Sequence, residues 1–182
     1  MPAVGFLIGW VYHHYGKNVE AGNNLILKTI HKPEKKIPLK MAVFVYAGTI
    51  LTHLFGGSAG REGTAIQMAG SIADQFSKPF RLTDEERRIL IIASVAAGFG
   101  SVFGTPLAGA IFGLEVFFIG RIRYNAIFPA FAASICADLV TKLWQVGHTH
   151  YHIPLVPEIS ATTILFVVCA GIAFGLCAAL FS

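Results

Sequence analysis

Stretches almost free of formal charge recur along this chain, at 41–60, 89–114, 124–144 and 159–182. A helix that crosses a bilayer needs about 20 apolar residues, so runs of this kind read as membrane helices. The 89–114 run is punctuated by Gly98, Gly100, Gly104 and then Pro106. Glycine followed by proline at that spacing stops one helix near Gly104–Thr105 and restarts another with Pro106 in its first turn. Thr83 with Glu86 three residues on is a capping box that opens the first of the two. The whole pattern predicts helices at about 3–13, 23–31, 38–56, 61–77, 84–100, 106–120, 124–146 and 161–182. Several are too short to cross a bilayer upright. The predicted class is therefore an all-α integral membrane protein with tilted and discontinuous helices. Broken helices persist in lipid only where their freed backbone is buried in protein or lines a cavity, which is where transport sites lie.

Composition sharpens this picture. Of 182 residues, 54% are hydrophobic and only 13% charged, and the mean hydropathy is +0.63. Soluble domains carry about 25% charged residues, so a soluble enzyme is disfavoured and a disordered chain excluded. Cys136, Cys169 and Cys177 all lie in apolar stretches, which points to free thiols. The basic residues fall into three groups, Lys28–Lys40, Lys78–Arg88 and Arg121 with Arg123. The positive-inside rule places all three in the cytoplasm, with a pair of passes between successive groups. The net charge of +4 is then a topology signal; no nucleic-acid partner is implied. Met1–Trp10 lacks the basic start of a signal peptide and reads as the tail of a helix that began earlier. A multi-pass protein of a cell (inner) membrane is expected.

The chemistry concentrates at Gly60-Arg61-Glu62-Gly63-Thr64. Glycines on both sides of a carboxylate allow a sharp turn with bare N–H groups. The helix that follows directs its unpaired N–H groups and positive dipole end at that turn, which suits an anion. Glu62 can occupy the place itself and, once protonated, leave it to a dissolved anion. The alternative is a surface turn with an Arg61–Glu62 pair. Gly22-Asn23-Asn24 heads another short apolar run and could supply amide donors, although such a triplet is also an ordinary turn. Glu115, inside an apolar run, is either a functional intramembrane acid or a structural one paired with Arg121 or Arg123. Asp138 and Lys142 are spaced for an intrahelical ion pair. His148, His150 and His152 read as a solvated loop. Small-xxx-small spacings at Gly56/Gly60, Gly100/Gly104, Gly109/Gly113 and Gly171/Gly175 read as close helix packing, Gly60 excepted. No metal site, cofactor or enzymatic motif is visible.

These motifs together resemble the ClC family of chloride channels and anion/proton antiporters. The family's Gly-(Lys/Arg)-Glu-Gly-Pro signature is similar to Gly60–Thr64 here, continued by Ala65-Ile66-Gln67-Met68-Ala69-Gly70. Ala96–Gly100 and Thr105–Glu115 are similar to its next two helices. The family's Gly-Ser-Gly-x-Pro signature would fall on Gly22–Ile26. Thr64 stands in place of the signature proline and Asn23 in place of the ion-contacting serine, both similar to the bacterial fluoride/proton antiporter branch. The inner glutamate of chloride/proton exchangers would fall on Val116, or on Glu115 with a slip of one residue.

The resemblance implies a ClC-type inverted-repeat fold, of which this chain holds most of the first repeat and the start of the second. It implies Glu62 as gate and proton-coupled residue, and anion contacts at Gly22, Asn23, Asn24, Gly60, Arg61, Gly63 and Thr64, with Glu115 secondary. The implied partners are fluoride or chloride, protons, the bilayer and a second copy in a homodimer. Fluoride export coupled to proton antiport is the leading expectation. A chloride channel or chloride/proton antiporter is the alternative. A truncated, non-transporting membrane fragment is the alternative of another class, since the family's third signature, Gly-x-Phe-x-Pro, is nowhere in the chain.

Overall fold

The computed structural model describes residues 2–33, 36–116, 123–148, 156 and 158–181, and it divides into two units, 1–148 and 149–182. Among the described residues every regular element is helical: α1 (Pro2–Tyr15), α2 (Asn23–His31), α3 (Lys40–Leu54), α4 (Glu62–Ala73), α5 (Asp84–Phe103), α6 (Pro106–Glu115), α7 (Ile127–Leu143) and α8 (Ala161–Phe181). Single 3-10 turns extend α4 at Asp74–Phe76 and precede α7 at Tyr124–Ala126. The segment Tyr124–Leu143 is long and apolar enough to span a bilayer. So is α8, the helix of the second unit, which has no buried residue within that unit.

Helix α5 is the centre of the first unit, packed against α4, α6 and α7. Its start is set by the capping box. Glu86 N–H donates to Thr83 Oγ1 at 3.3 Å, and Thr83 N–H donates to the Glu86 carboxylate at 2.7 Å. The helix continues past Gly98 and Gly100 to Phe103, beyond the expected end at Gly100. Those glycines are not breaks, because each is where a neighbouring helix approaches. A Cβ at Gly98 would lie 2.9 Å from the Ala65 carbonyl of α4, and one at Gly109 of α6 would lie 2.6 Å from the Gly100 backbone. One at Gly113 would meet Ala96 at 2.8 Å. Between lipid-soluble helices there is little hydrophobic drive, so such close backbone contact supplies the cohesion. The stop comes at Gly104, whose left-handed backbone (φ 65°) lets its N–H bond back to Gly100. Pro106 then opens α6 at its first position.

The packing reading therefore holds for Gly100, Gly109 and Gly113. It fails for Gly104, which is a helix cap, and for Gly56, a turn residue (φ 77°) with open space around it. Gly171 and Gly175 also meet nothing within 4 Å. The span expected at 38–56 is a helix only over Lys40–Leu54, because Gly56 turns the chain. The span expected at 61–77 yields to a 3-10 turn after Ala73. The expected continuation of α6 to 120 lies outside the described residues.

At one end of the unit the basic groups come together around a buried ion pair. Asp74 is 0% exposed and Arg87 8%. The guanidinium grips the carboxylate twice, at 2.6 and 2.9 Å. The same carboxylate accepts from Ile37 N–H at 2.6 Å, while Arg87 also donates to the Pro33 carbonyl at 2.6 Å. Gln75 adds a bond to the Ile37 carbonyl and Arg88 one to that of His31. Burying two charges is costly unless nearly every lone pair and proton is used, and here the bidentate geometry and backbone partners use them. This knot fastens the ends of α2, α4 and α5 at one level. Ile26, Ile30, Ile37, Met41, Ile66, Ile91 and Ile92 form the buried cluster of which it is the floor.

Gly109→Ala is expected to lower the Tm of the detergent-solubilised protein, at a cost of about 1–3 kcal/mol, because neither backbone at the crossing can yield. Gly70→Ala, which meets only the flexible Ile26 side chain at 3.2 Å, is expected to shift it far less. Thermal melts followed by size-exclusion chromatography make the comparison.

Candidate functional site

Two short helices begin side by side. Helix α4, with 12 residues, reaches about 18 Å from the basic end, and α2, with 9, reaches about 13 Å. The apolar slab of a bilayer is about 30 Å thick. Neither helix is long enough to cross it upright. Gly22, the N-cap of α2, adopts φ 52° and ψ −128°, a backbone turn that a Cβ would strain. Neither Gly22 nor Arg61, the N-cap of α4, supplies a side-chain bond to its helix. At α4 the first N–H groups receive no cap from Arg61, whereas at α2 the Asn24 and Leu25 N–H groups bond the Ala21 and Gly22 carbonyls; both dipoles present their positive ends.

The two ends are joined by amides. Gln67 Nε2 donates to Asn23 Oδ1 at 3.0 Å. The Asn23 amide nitrogen lies 3.4 Å from where a Cβ of Gly63 would stand, and Gln67 Nε2 the same distance from that of Gly22. Glu62, the first residue of α4, is half-buried and folds its carboxylate back over Gly60. The space a side chain at position 60 would need is occupied by Glu62 Oε2. Gly22, Asn23, Gly60, Glu62 and Gly63 therefore come together around the two helix starts.

Thr64 and Arg61 face the other way. Thr64 Oγ1 and Thr49 Oγ1 of α3 share a hydrogen bond of 2.6 Å. Both threonines line a cavity of about 440 Å³ with Tyr46, His53, Arg61 and Met68. Among the described residues Arg61 and Glu62 form no ion pair, so the surface-turn alternative loses its contact. Asn24 is exposed, its N–H bonded to the Ala21 carbonyl. Glu115 ends α6 on the exposed surface. Its expected partner Arg123 instead meets Glu85 at 3.0 Å, and Arg121 lies outside the described residues.

Other expectations resolve away from the helix starts. Asp138 and Lys142 pair at 2.6 Å within α7. The three cysteines are unpaired and exposed. His148 is not a freely solvated loop residue: it is half-buried against Gly104 and bonds the Ser101 carbonyl at 2.8 Å, satisfying a backbone group that the end of α5 frees. His150 and His152 lie outside the described residues.

Two polar residues of this region carry no role in the sequence reading, Gln67 and Thr49. Gln67 stands one helical turn after Gly63 on the same face of α4. A polar side chain in the otherwise apolar run 65–70 was the available signal. Thr49 sits in an apolar helix where a threonine usually bonds its own backbone, so nothing in the sequence distinguishes it.

An all-helical fold of apolar helices, two of them short and meeting at their amino ends, is of the membrane-protein class, and helix amino ends so placed can receive an anion. Comparison with known proteins agrees with that class. The model of the family described as "Voltage gated chloride channel" matches residues 4–182, and the chain belongs to that family. The "Chloride/fluoride channel protein" of Pseudomonas syringae pv. tomato is 54% identical over 100% of this chain and 40% of its own length. A "Voltage-gated ClC-type chloride channel ClcB" of Yersinia pseudotuberculosis is 26% identical over 86% of this chain and 37% of its own. The crystal structure of a CLC-type fluoride/proton antiporter superposes with a TM-score of 0.87 and 35% identity, covering 97% of this chain and 44% of that one. The fold is thus the all-helical ClC type, and the chain spans less than half the length of these relatives.

The Thr49–Thr64 bond sets the rotation of α4 against α3. Thr49→Val and Thr64→Val are each expected to cost about 0.5–1.5 kcal/mol of stability. The double variant is expected to cost less than the sum, a coupling that a double-mutant cycle of denaturation midpoints measures.

Proposed function

We propose that the protein carrying this sequence exports fluoride across a cell membrane in exchange for protons, with Glu62 as the gate and proton-coupled residue. The observation that carries this is the meeting of the α2 and α4 amino ends around the Asn23 amide and the Glu62 carboxylate. A small, strongly accepting anion gains most from amide and backbone N–H donors held ready in a dry site. The names of the 54% identical relative and of the superposed antiporter support the choice of ion.

The chemistry follows from the charge on Glu62. Ionised, its carboxylate is held by the positive ends of the helices, an attraction of about 0.3–2 kcal/mol per helix end, and it occupies the anion's place. A proton removes that attraction, the side chain swings off Gly60, and the vacated N–H groups take up fluoride. Return of the carboxylate expels the ion and releases the proton. Exchange follows when the proton reaches Glu62 from outside and fluoride enters from the cytoplasm, so that the returning carboxylate sends the ion outward and the proton inward. In this reading Gly22, Asn23, Gly60 and Gly63 shape the site, and Asn24 borders it. Arg61 and Thr64 act from the opposite face of α4 by setting its position. Glu115 has no assigned step. The basic end faces the cytoplasm, the chain holds most of the first of two inverted repeats, and the working form is a homodimer in the inner membrane.

A chloride channel or chloride/proton antiporter is the second reading, favoured by the name of the Yersinia relative. Liposomes containing the product of the full reading frame decide between them. Fluoride efflux is expected to outrun chloride efflux and to drive protons in the opposite direction. Glu62→Gln, which cannot ionise, is expected to abolish the proton movement and to slow or free the anion movement from it. Intact fluoride–proton coupling in that variant would overturn the assignment.

A further inference from the structure

We propose that Gln67 is a positioning residue of the anion site, holding the Asn23 carboxamide in the one orientation that offers N–H to the ion. The proposal rests on the reading of Asn23 as an anion ligand given above.

A carboxamide is two-faced: one side donates two hydrogens and the other only accepts. At a helix start meant for an anion, the donor side attracts the ion and the oxygen repels it. The backbone of α2 does not choose between the two faces: Asn23 is exposed at its helix start, and its carboxamide bonds Gln67 of α4. The choice is made from α4. Gln67 Nε2 donates to Asn23 Oδ1 at 3.0 Å, which commits the oxygen to α4. Asn23 Nδ2 is left beside Gly63, 3.4 Å from where a Cβ would be. Gly63 has no side chain to cover those hydrogens, and it directly follows Glu62. The amide nitrogen of Asn23 thus stands nearer that Cβ position of Gly63 than its oxygen does, at 3.4 against 4.0 Å, beside the residue that follows Glu62.

Two further features keep the lock in place. Gln67 shares the face of α4 that carries Gly63, so its amide reaches α2 without crossing the ion's place. Its amide also lies beside Gly22, 3.4 Å from where a Cβ would stand, an ordinary packing distance that keeps the carboxamide against the start of α2. An acceptor at position 67 would reverse the arrangement. Asn23 would then turn its nitrogen toward α4 and present oxygen to the anion.

The test is a mutant cycle on the product of the full reading frame in liposomes, with fluoride and chloride efflux measured against concentration. Gln67→Met removes the lock with little change in volume. It is expected to raise the fluoride KM about tenfold to a hundredfold, the worth of one hydrogen bond to a charged group. The maximal rate is expected to move much less, and the preference for fluoride over chloride to fall. In an Asn23→Ser background the same change is expected to leave the fluoride KM within about twofold, since no carboxamide remains to orient. Should Gln67→Met not give a monodisperse protein, Gln67→Glu enters the same cycle, with a larger loss expected when Asn23 is intact than in the Asn23→Ser background. Equal effects in both backgrounds, or an unchanged fluoride KM in Gln67→Met beside a raised one in Asn23→Ser, overturn the proposal alone. A wild-type fluoride KM in Asn23→Ser overturns the anion-ligand reading of Asn23 and this proposal with it.

Discussion

A helix that ends in lipid must find partners for its terminal backbone groups inside the protein, because no water is there to supply them. Most of this fold answers to that requirement. Helices α2 and α4 are about half the length needed to cross, and at the start of α4 the N-cap side chain leaves the first N–H groups uncovered. The structure sets the two ends against each other and places a carboxylate, two amides and several glycines around them. At the other deep discontinuity, between α5 and α6, the same need is met by protein groups. Gly104 caps backward onto Gly100, His148 covers the Ser101 carbonyl and Ser134 bonds the Pro106 carbonyl. One break is closed with protein contacts, and at the other the Glu62 carboxylate folds back over Gly60 beside the helix start.

The depth of the open break is decided elsewhere. The Asp74–Arg87 pair ties α4 and α5 to the backbone at Pro33 and Ile37, beside the far end of α2. From that common tie, helix length sets how far each amino end stands from the ion pair. Close backbone contact at Gly98, Gly109 and Gly113 then fixes α5 between its neighbours without relying on apolar burial, which drives little in lipid. A buried ion pair at one end of the helices and bare backbone contacts between them divide the work of holding the site in place.

Much of this was legible before any coordinates. Low charge, long apolar runs and the Gly/Pro break at Gly104–Pro106 speak directly to membrane helices and to one discontinuity, because helix propensity and capping are local. The Gly60–Gly63 turn with Glu62 announces its chemistry for the same reason: the residues that create the turn also bear the charge. Helix ends were less legible. Gly98 and Gly100 look like breaks in sequence yet lie inside α5, since a glycine that admits a neighbouring helix cannot be told locally from one that ends its own. His148 reads as a solvated loop residue because nothing nearby in sequence shows the carbonyl it serves.

The sequence by itself determined that this is a helical membrane protein with a glycine-flanked carboxylate at a helix start, since period, capping and turn chemistry are properties of a few consecutive residues. Tertiary structure alone decided which groups share that place. It brought Asn23 to Gly63 through Gln67, sent Thr64 and Arg61 to the opposite face with Thr49, and withdrew Arg123 from Glu115 toward Glu85. Those pairings join residues far apart in the chain. They depend on how α2, α3 and α4 are rotated about their own axes, and packing sets that rotation.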